Sequence, residues 1–250
     1  MSLSTPISKI WNVTWDSKKG NYTDDAKGIR CKYPKGKFGS AAGTNFRAEP
    51  VGFPTSKVVL SYDVYIPDKF DFVKGGKLPG VWGGDPGSGG GEWNDDGWSA
   101  RLMFREKGAV VAYVYMCTDQ GSYNGDENCK LVRNQGSGFD KIAHHTNGAG
   151  IDLWRDGGLA LKKGAWNSLS LRVEINDPKK SNGLVELTVN GHTKTFDGMC
   201  WSKKVKKASG ILFATWFGGG SKAYAPSKTQ HIDFRNVTVK TLETCCDKIL

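Results

Sequence analysis

The sequence predicts an all-β fold, a β-sandwich jelly roll of two antiparallel sheets, and two observations carry this prediction. Apolar and polar residues alternate with period two in many short segments, and no segment shows the apolar periodicity of an amphipathic helix. Turn-forming residues separate these segments, as Asn190-Gly191 does between two alternating runs. About ten strands joined in this way are typical of a two-sheet sandwich.

The alternating segments define the predicted strands in chain order. They lie at residues 10–15, 57–66, 98–105, 109–116, 168–175, 185–189, 192–196, 211–217 and 231–239. The run at 168–175 alternates most strictly, and residues 35–45 are expected to be a polar, glycine-rich connection. Since no linker, repeat or low-complexity segment interrupts the series, we expect residues 1–250 to form one domain.

The charge of the chain predicts an anionic partner. Its 250 residues include 35 Lys and Arg against 25 Asp and Glu, a formal net charge of +10. Such a surface attracts nucleic acid, anionic membranes and acidic polysaccharides alike. No nucleic-acid-binding motif accompanies the charge, and no apolar run approaches the ~20 residues that span a bilayer. We therefore expect a soluble monomer that binds an acidic polysaccharide, with no nucleic-acid or membrane partner.

Neither a metal nor another cofactor is expected. The sequence contains no CxxC or HxxxH spacing, and the adjacent pair His144-His145, expected at the surface, cannot easily share one tetrahedral site. Cys117 and Cys129 could pair across a polar loop, although spacing does not fix the connectivity. The glycine-rich segments 83–91 and 218–220 lack a phosphate-binding motif, and are either a lid over one sheet or wide connections.

The hairpin at residues 97–116 contains the candidate site. A three-residue loop at 106–108, ending in glycine, places Arg101 opposite Tyr113 and Ser99 opposite Tyr115. Opposed residues share a sheet face, so these four side chains form one polar cluster. The alternative is an ordinary solvated sheet face, where Arg and Tyr are common. The opposite, core-facing side is assigned to Trp98, Leu102, Phe104, Val110, Val114 and Met116.

Two kinds of polysaccharide cleavage are compatible with these residue types. Glu92, Asp95 and Asp96 raise the possibility of a glycoside hydrolase, but adjacent residues of one turn rarely flank a scissile bond. A turn or a bound cation explains that segment better. The arginine and tyrosine cluster suits β-elimination of a polyuronate. There, cations stabilise the charge that develops when the C5 proton is removed, and tyrosines or an amine transfer protons.

At these residues the chain resembles polysaccharide lyase family 14, in particular its chlorella-virus members. The resemblance lies in GGKLPGVWGG (75–84), GWSARLMFR (97–105) and VVAYVYMCTDQ (110–120), and it extends over most of the chain. It implies a β-jelly roll that cleaves glucuronan- or alginate-type polyuronates by β-elimination, leaving an unsaturated sugar at the new non-reducing end. It also implies a viral enzyme that acts on a host cell wall. The family's functional residues fall on Lys77, Ser99, Arg101, Tyr113 and Tyr115.

The chemistry of these five residue types suggests their roles, some of which it leaves open. Arg101 and Ser99 are expected to hold and neutralise the uronate carboxylate, and Tyr113 and Tyr115 to accept and donate protons in an unassigned order. Lys77 either adds positive charge or, if burial beside Arg101 lowers its pKa, acts as the base. The alternative function is a non-catalytic module that binds acidic glycans, for which the basic surface and many Trp residues would serve equally well.

Overall fold

The computed structural model describes residues 11–16, 22–25, 28–85, 97–116, 135–145, 150–202 and 204–242. Within these residues the chain forms one sheet of eight strands and one of seven. Neighbouring strands pair antiparallel throughout both sheets. The predicted all-β sandwich of two antiparallel sheets is therefore confirmed.

The first sheet contains the hairpin that the sequence analysis singled out. In spatial order its strands are β1 (Val13–Asp16), β4 (Thr44–Ala48), β14 (Ala208–Thr215), β6 (Gly75–Gly84), β7 (Gly97–Arg105), β8 (Val110–Tyr115), β10 (Gly150–Leu153) and β9 (Ala143–His145). The hairpin strands β7 and β8 thus lie inside the sheet, with strands on both sides.

The second sheet packs against the first. In spatial order its strands are β13 (His192–Met199), β12 (Gly183–Val189), β11 (Ala165–Glu174), β5 (Lys57–Ile66), β15 (Gln230–Thr241), β3 (Gly28–Tyr33) and β2 (Tyr22–Asp25). One α-helix, α1 (Phe139–Ile142), occurs among the described residues, with short 3-10 turns at Ser40–Ala42, Glu106–Gly108 and Lys222–Tyr224. None of the described helices is long and apolar enough to cross a bilayer.

The hydrophobic core lies between the two sheets. The first sheet contributes Leu102 and Phe104, and the second contributes Val64 and Leu171, all fully buried. Rings from the two sheets meet directly, since the centroid of Phe213 lies 5.1 Å from that of Phe234. The residues assigned to the core side of the hairpin, from Trp98 to Met116, all belong to this cluster, which confirms their predicted orientation.

The strand predictions were most accurate where alternation is strict. The strand predicted at 57–66 has those bounds, and the one predicted at 168–175 begins three residues earlier, at Ala165. The Asn190-Gly191 turn joins β12 to β13 as predicted, with a positive φ at both residues. The segment 35–45, expected to be a connection, ends by entering β4 at Thr44.

Several strands were missed, and β6 matters most for the site. Its sequence, GGKLPGVWGG, contains five glycines and a proline, and nine of its ten residues are buried. A strand with strands on both sides and little access to solvent on either face shows no polar alternation, so period two cannot reveal it. The residues Glu92, Asp95, Asp96, Cys117 and Cys129, and segment 86–91, lie outside the described residues.

Candidate active site

The hairpin has the register that its loop length predicts. The amide of Arg105 donates to the carbonyl of Ala109 at 2.7 Å, and Gly108 in the loop has a φ of +84°. Arg101 consequently pairs with Tyr113, and Ser99 pairs with Tyr115. These four residues share the outer face of the first sheet, the face turned away from the core.

The outer face at this point is not a solvated surface. Ser99 is 1% exposed, Arg101 2%, Tyr113 7% and Tyr115 4%. The alternative of an ordinary solvated face is therefore wrong for this cluster. Charged side chains are almost never fully buried unless they are paired, so the burial of an arginine here requires a specific explanation.

A β-bulge in β6 brings Lys77 to the same face. The register shifts by one residue between Lys77 and Gly80, and Pro79, which cannot donate a ladder hydrogen bond, lies within the shift. Leu78, within the shift, and Val81, directly after it, both enter the core. Lys77 and Gly80 therefore both lie on the outer face, beside Met103 and Arg101 respectively.

The Lys77 amine lies directly over the tyrosine pair. Its Nζ is 3.3 Å from the ring centroid of Tyr113 and 5.7 Å from that of Tyr115. It also donates to the Met103 thioether at 2.9 Å, which is a weak acceptor. Lys77 is 7% exposed, and no carboxylate of the described residues forms a salt bridge with it.

The two tyrosines form a hydrogen-bonded pair. The Tyr113 hydroxyl lies 3.2 Å from the Tyr115 hydroxyl, and the two rings are almost perpendicular, at 88°. Gly150 of β10 allows this arrangement, because a Cβ added there would lie 2.0 Å from the Tyr113 hydroxyl. A strand glycine thus creates the space that the Tyr113 hydroxyl occupies.

Arg101 is a buried cation with unused hydrogen-bond donors. Its guanidinium lies 5.1 Å from the Tyr115 ring centroid, while Nε and Nη2 are buried without a hydrogen-bond partner among the described residues. Gly80 makes room for the side chain, since a Cβ there would approach Arg101 Cγ to 2.8 Å. Buried donors normally have partners, so these two groups indicate a site for an anionic ligand.

Burial and the surrounding positive charges lower the pKa of Lys77 well below its usual value. Burial is the main cause, because it disfavours the charged amine, and the positive charges of Arg101 and Arg105 act in the same direction. Asp152 opposes them by favouring the charged form. Burial also lowers the pKa of Arg101, although a guanidinium remains charged in proteins.

Asp152 is a site component that sequence reasoning missed. It is fully buried on β10 opposite Tyr113, and it forms a salt bridge with Arg105, which lies 5.4 Å from the Tyr113 ring centroid. An aspartate in the otherwise apolar run Ile151–Trp154 is the signal that could have found it. Met103 could also have been found, because it lies two residues after Arg101 on β7 and therefore on the same face of the sheet.

Two of the site residues, Arg101 and Tyr113, belong to a continuous cross-strand row. We call this set the central row, and it runs across seven strands of the first sheet: Arg47, Leu212, Gly80, Arg101, Tyr113, Asp152 and His144. His144 is exposed at the edge strand β9, as predicted for the surface. Among the described residues, no group of three or more His, Cys, Asp or Glu side chains is placed to hold a metal ion.

The fold and the site together define a β-sandwich protein with a buried cationic, tyrosine-containing site on one sheet, suited to an acidic ligand. The family described as Polysaccharide lyase 14 matches residues 22–237, so the chain belongs to polysaccharide lyase family 14. The resemblance noted in the sequence is thereby confirmed.

Two solved structures share both fold and sequence with this chain. The marine alginate lyase of this family from Aplysia kurodai is 27% identical, with a TM-score of 0.77 over 94% of this chain and 92% of that one. The alginate lyase vAL-1 from Chlorella virus is 26% identical, with a TM-score of 0.73 over 93% of each chain. Family membership and these neighbours support a lyase acting on uronic-acid polymers over the non-catalytic binding module.

A curated viral protein is also similar, but over part of its length. Exolysin of Paramecium bursaria Chlorella virus 1 is 23% identical over 187 residues, which are 67% of this chain and 27% of that protein. The chain therefore spans about a quarter of the length of this relative.

Proposed function

We propose that the chain cleaves polyuronates of the alginate or glucuronan type by β-elimination at Lys77, Ser99, Arg101, Tyr113 and Tyr115. The observation that carries the proposal is the buried Arg101 guanidinium, whose Nε and Nη2 lack partners among the described residues. It lies beside a hydrogen-bonded tyrosine pair and a lysine whose pKa is lowered.

Arg101 and Ser99 bind the carboxylate of the uronate that loses its C5 proton. The guanidinium presents a planar fork of donors that matches a carboxylate, and burial strengthens the interaction because water does not compete. As the C5–H bond breaks, negative charge spreads onto the carboxylate. A fixed cation at that position stabilises the enolate-like transition state more than the ground state.

Lys77 in its neutral form removes the C5 proton. Its lowered pKa makes the neutral amine available closer to neutral pH than in an ordinary lysine. The electron pair of the C5–H bond forms the C4–C5 double bond, and the C4–O bond to the neighbouring sugar breaks. The Tyr113–Tyr115 pair supplies a proton to the leaving oxygen. The products are a shortened chain and a chain whose new non-reducing end is an unsaturated uronate.

The test is incubation of the protein with separate solutions of polyglucuronate, polymannuronate and polyguluronate. A lyase produces a conjugated double bond, so ultraviolet absorbance should rise with at least one polymer, and mass spectrometry should find unsaturated oligouronates. Lys77→Met should abolish the rise, because methionine fills the space without providing a base. Retention of a polyuronate without new absorbance would instead support the non-catalytic binding module.

A further inference from the structure

An apolar floor extends from the site toward the β4 side of the first sheet. Trp82, Leu212, Ala214 and Trp216 lie on the outer face of β6 and β14, or directly after β14, and pack together apart from the main core. Each is 8% exposed or less. Trp82 pairs with Ser99, so the floor begins at the site itself.

A second arginine lies at the far end of this floor. Arg47 faces the same side as Arg101, because its neighbours Phe46 and Ala48 both enter the core. It pairs with Leu212 and is a member of the central row. Three strand spacings separate it from Arg101 along that row, which corresponds to ~14 Å.

Arg47 lies beside an exposed aromatic side chain. Its guanidinium lies 5.2 Å from the ring centroid of Trp15, which is 42% exposed. Partial burial lowers the pKa of Arg47, and Asp85 after β6 acts in the opposite direction. Its charge also contributes to the lowered pKa of Arg101, so both arginines belong to one positive field.

We propose that Arg47, Trp15 and the apolar floor form a distal subsite that binds a uronate unit several sugars away from the scissile bond. This inference rests on the proposed function, because it assumes a polyuronate at Arg101. The carbon-bound hydrogens of sugar rings pack on the indole and aliphatic floor, as apolar surface does. The Arg47 guanidinium binds one uronate carboxylate through paired hydrogen bonds.

The two sides of the cleavage site differ in the contacts that they offer to a long substrate. On the other side of Arg101 the central row continues through Tyr113 to Asp152, whose buried carboxylate is already paired with Arg105, and ends at the edge strand with His144. A long substrate therefore gains its additional contacts toward Arg47. A substrate too short to span the floor cannot reach the distal subsite, so the contribution of Arg47 depends on substrate length.

The experiment compares Arg47→Gln with the unchanged protein on two substrates, a long polyuronate and a saturated trisaccharide of the same uronate. We expect KM for the polymer to rise on the order of tenfold, the effect of losing a charge-assisted hydrogen bond. The polymer kcat and all constants for the trisaccharide should stay near their original values. Arg47→Lys, which keeps the charge but loses the fork, should recover part of the polymer KM.

The control is Arg30→Gln, which removes the same charge from a half-exposed arginine of the second sheet. It should leave both substrates unaffected. An equal loss on polymer and trisaccharide in Arg47→Gln would overturn the distal subsite, because Arg47 would then act on the reacting sugar through Arg101. An unchanged polymer KM would overturn it as well. If the unchanged protein cleaves no polyuronate at all, the proposed function fails instead.

Discussion

Replacement of Arg101 by alanine tests the proposed chemistry most directly. The side chain is 2% exposed, and two of its nitrogens are buried without partners among the described residues. Alanine removes the cation and both donors, while the tyrosine pair and Lys77 keep their own contacts. The variant therefore removes the stabilisation of the carboxylate, and it also raises the pKa of Lys77, because the charge of Arg101 is one cause of that lowered pKa.

The expected loss can be scaled from comparable groups. Removing one preorganised donor to a developing anion costs on the order of 10²–10³ in kcat, or about 2.7–4 kcal/mol. Arg101 provides a full charge and a fork of donors in a site with little water, so the upper part of that range applies. KM should rise too, because the guanidinium also binds the carboxylate before reaction.

Initial rates of double-bond formation, followed by ultraviolet absorbance on a soluble polyuronate, measure both constants. Arg172→Ala is a suitable control, since Arg172 pairs with Glu174 on the second sheet, away from the site. Arg105, on the same face as Arg101, is a less suitable control. Its salt bridge with the buried Asp152 makes Arg105→Ala destabilising rather than neutral. Near-normal turnover in Arg101→Ala would refute the assignment.

Three further outcomes follow from the site geometry. Gly150→Ala places a methyl group where the Tyr113 hydroxyl lies, so kcat should fall by about 10²-fold, as for other small displacements of catalytic groups. Asp152→Asn leaves Arg105 without its counter-charge and should lower the free energy of unfolding by about 3 kcal/mol in denaturant titrations. In pH–rate measurements, kcat/KM should rise toward alkaline pH as Lys77 loses its proton, and kcat should rise at a still higher pH.

Each of these outcomes has a result that would contradict it. Gly220→Ala adds a methyl group that meets nothing within 4 Å, so a kcat loss equal to that of Gly150→Ala would remove the steric explanation. An unchanged free energy of unfolding in Asp152→Asn would contradict the importance of its pairing with Arg105. Asp152→Asn also removes a charge that favours protonated Lys77, so a rate that does not begin to rise at lower pH than in the unchanged protein would contradict Lys77 as the base. A rate optimum near pH 5 would indicate a carboxylate base.

The hairpin was predictable because its register depends on local rules. Loop length and period two determine which residues face each other, and both are visible in the sequence. The pairing of Arg101 with Tyr113 followed from counting residues across the glycine-containing loop. The bounds of β5 were equally predictable, since the strand alternates between buried and more exposed positions over its whole length.

The sheet face of Lys77 could not be predicted in the same way, because a bulge breaks the alternation on which such a prediction depends. The extra residue near Pro79 reverses the parity of everything after it, so counting from Trp82 assigns Lys77 to the core side. Only the family resemblance identified it. Likewise, the role of Gly150 depends on β10 lying beside β8, a pairing between segments that are distant in sequence.

Burial lowers the pKa of both cations of the site, Lys77 and Arg101, but the consequence for their charge differs. A guanidinium stays charged after its pKa is lowered, whereas a lysine amine, whose ordinary pKa is ~10.4, can lose its proton. The charge of Arg101 is one cause of the lowered pKa of Lys77. A substrate carboxylate bound to Arg101 offsets that repulsion, so the pKa of Lys77 should be higher in the complex than in the free protein. Since kcat/KM reports the free enzyme and kcat the complex, the two pH profiles must separate, and coincident profiles would exclude Lys77 as the base.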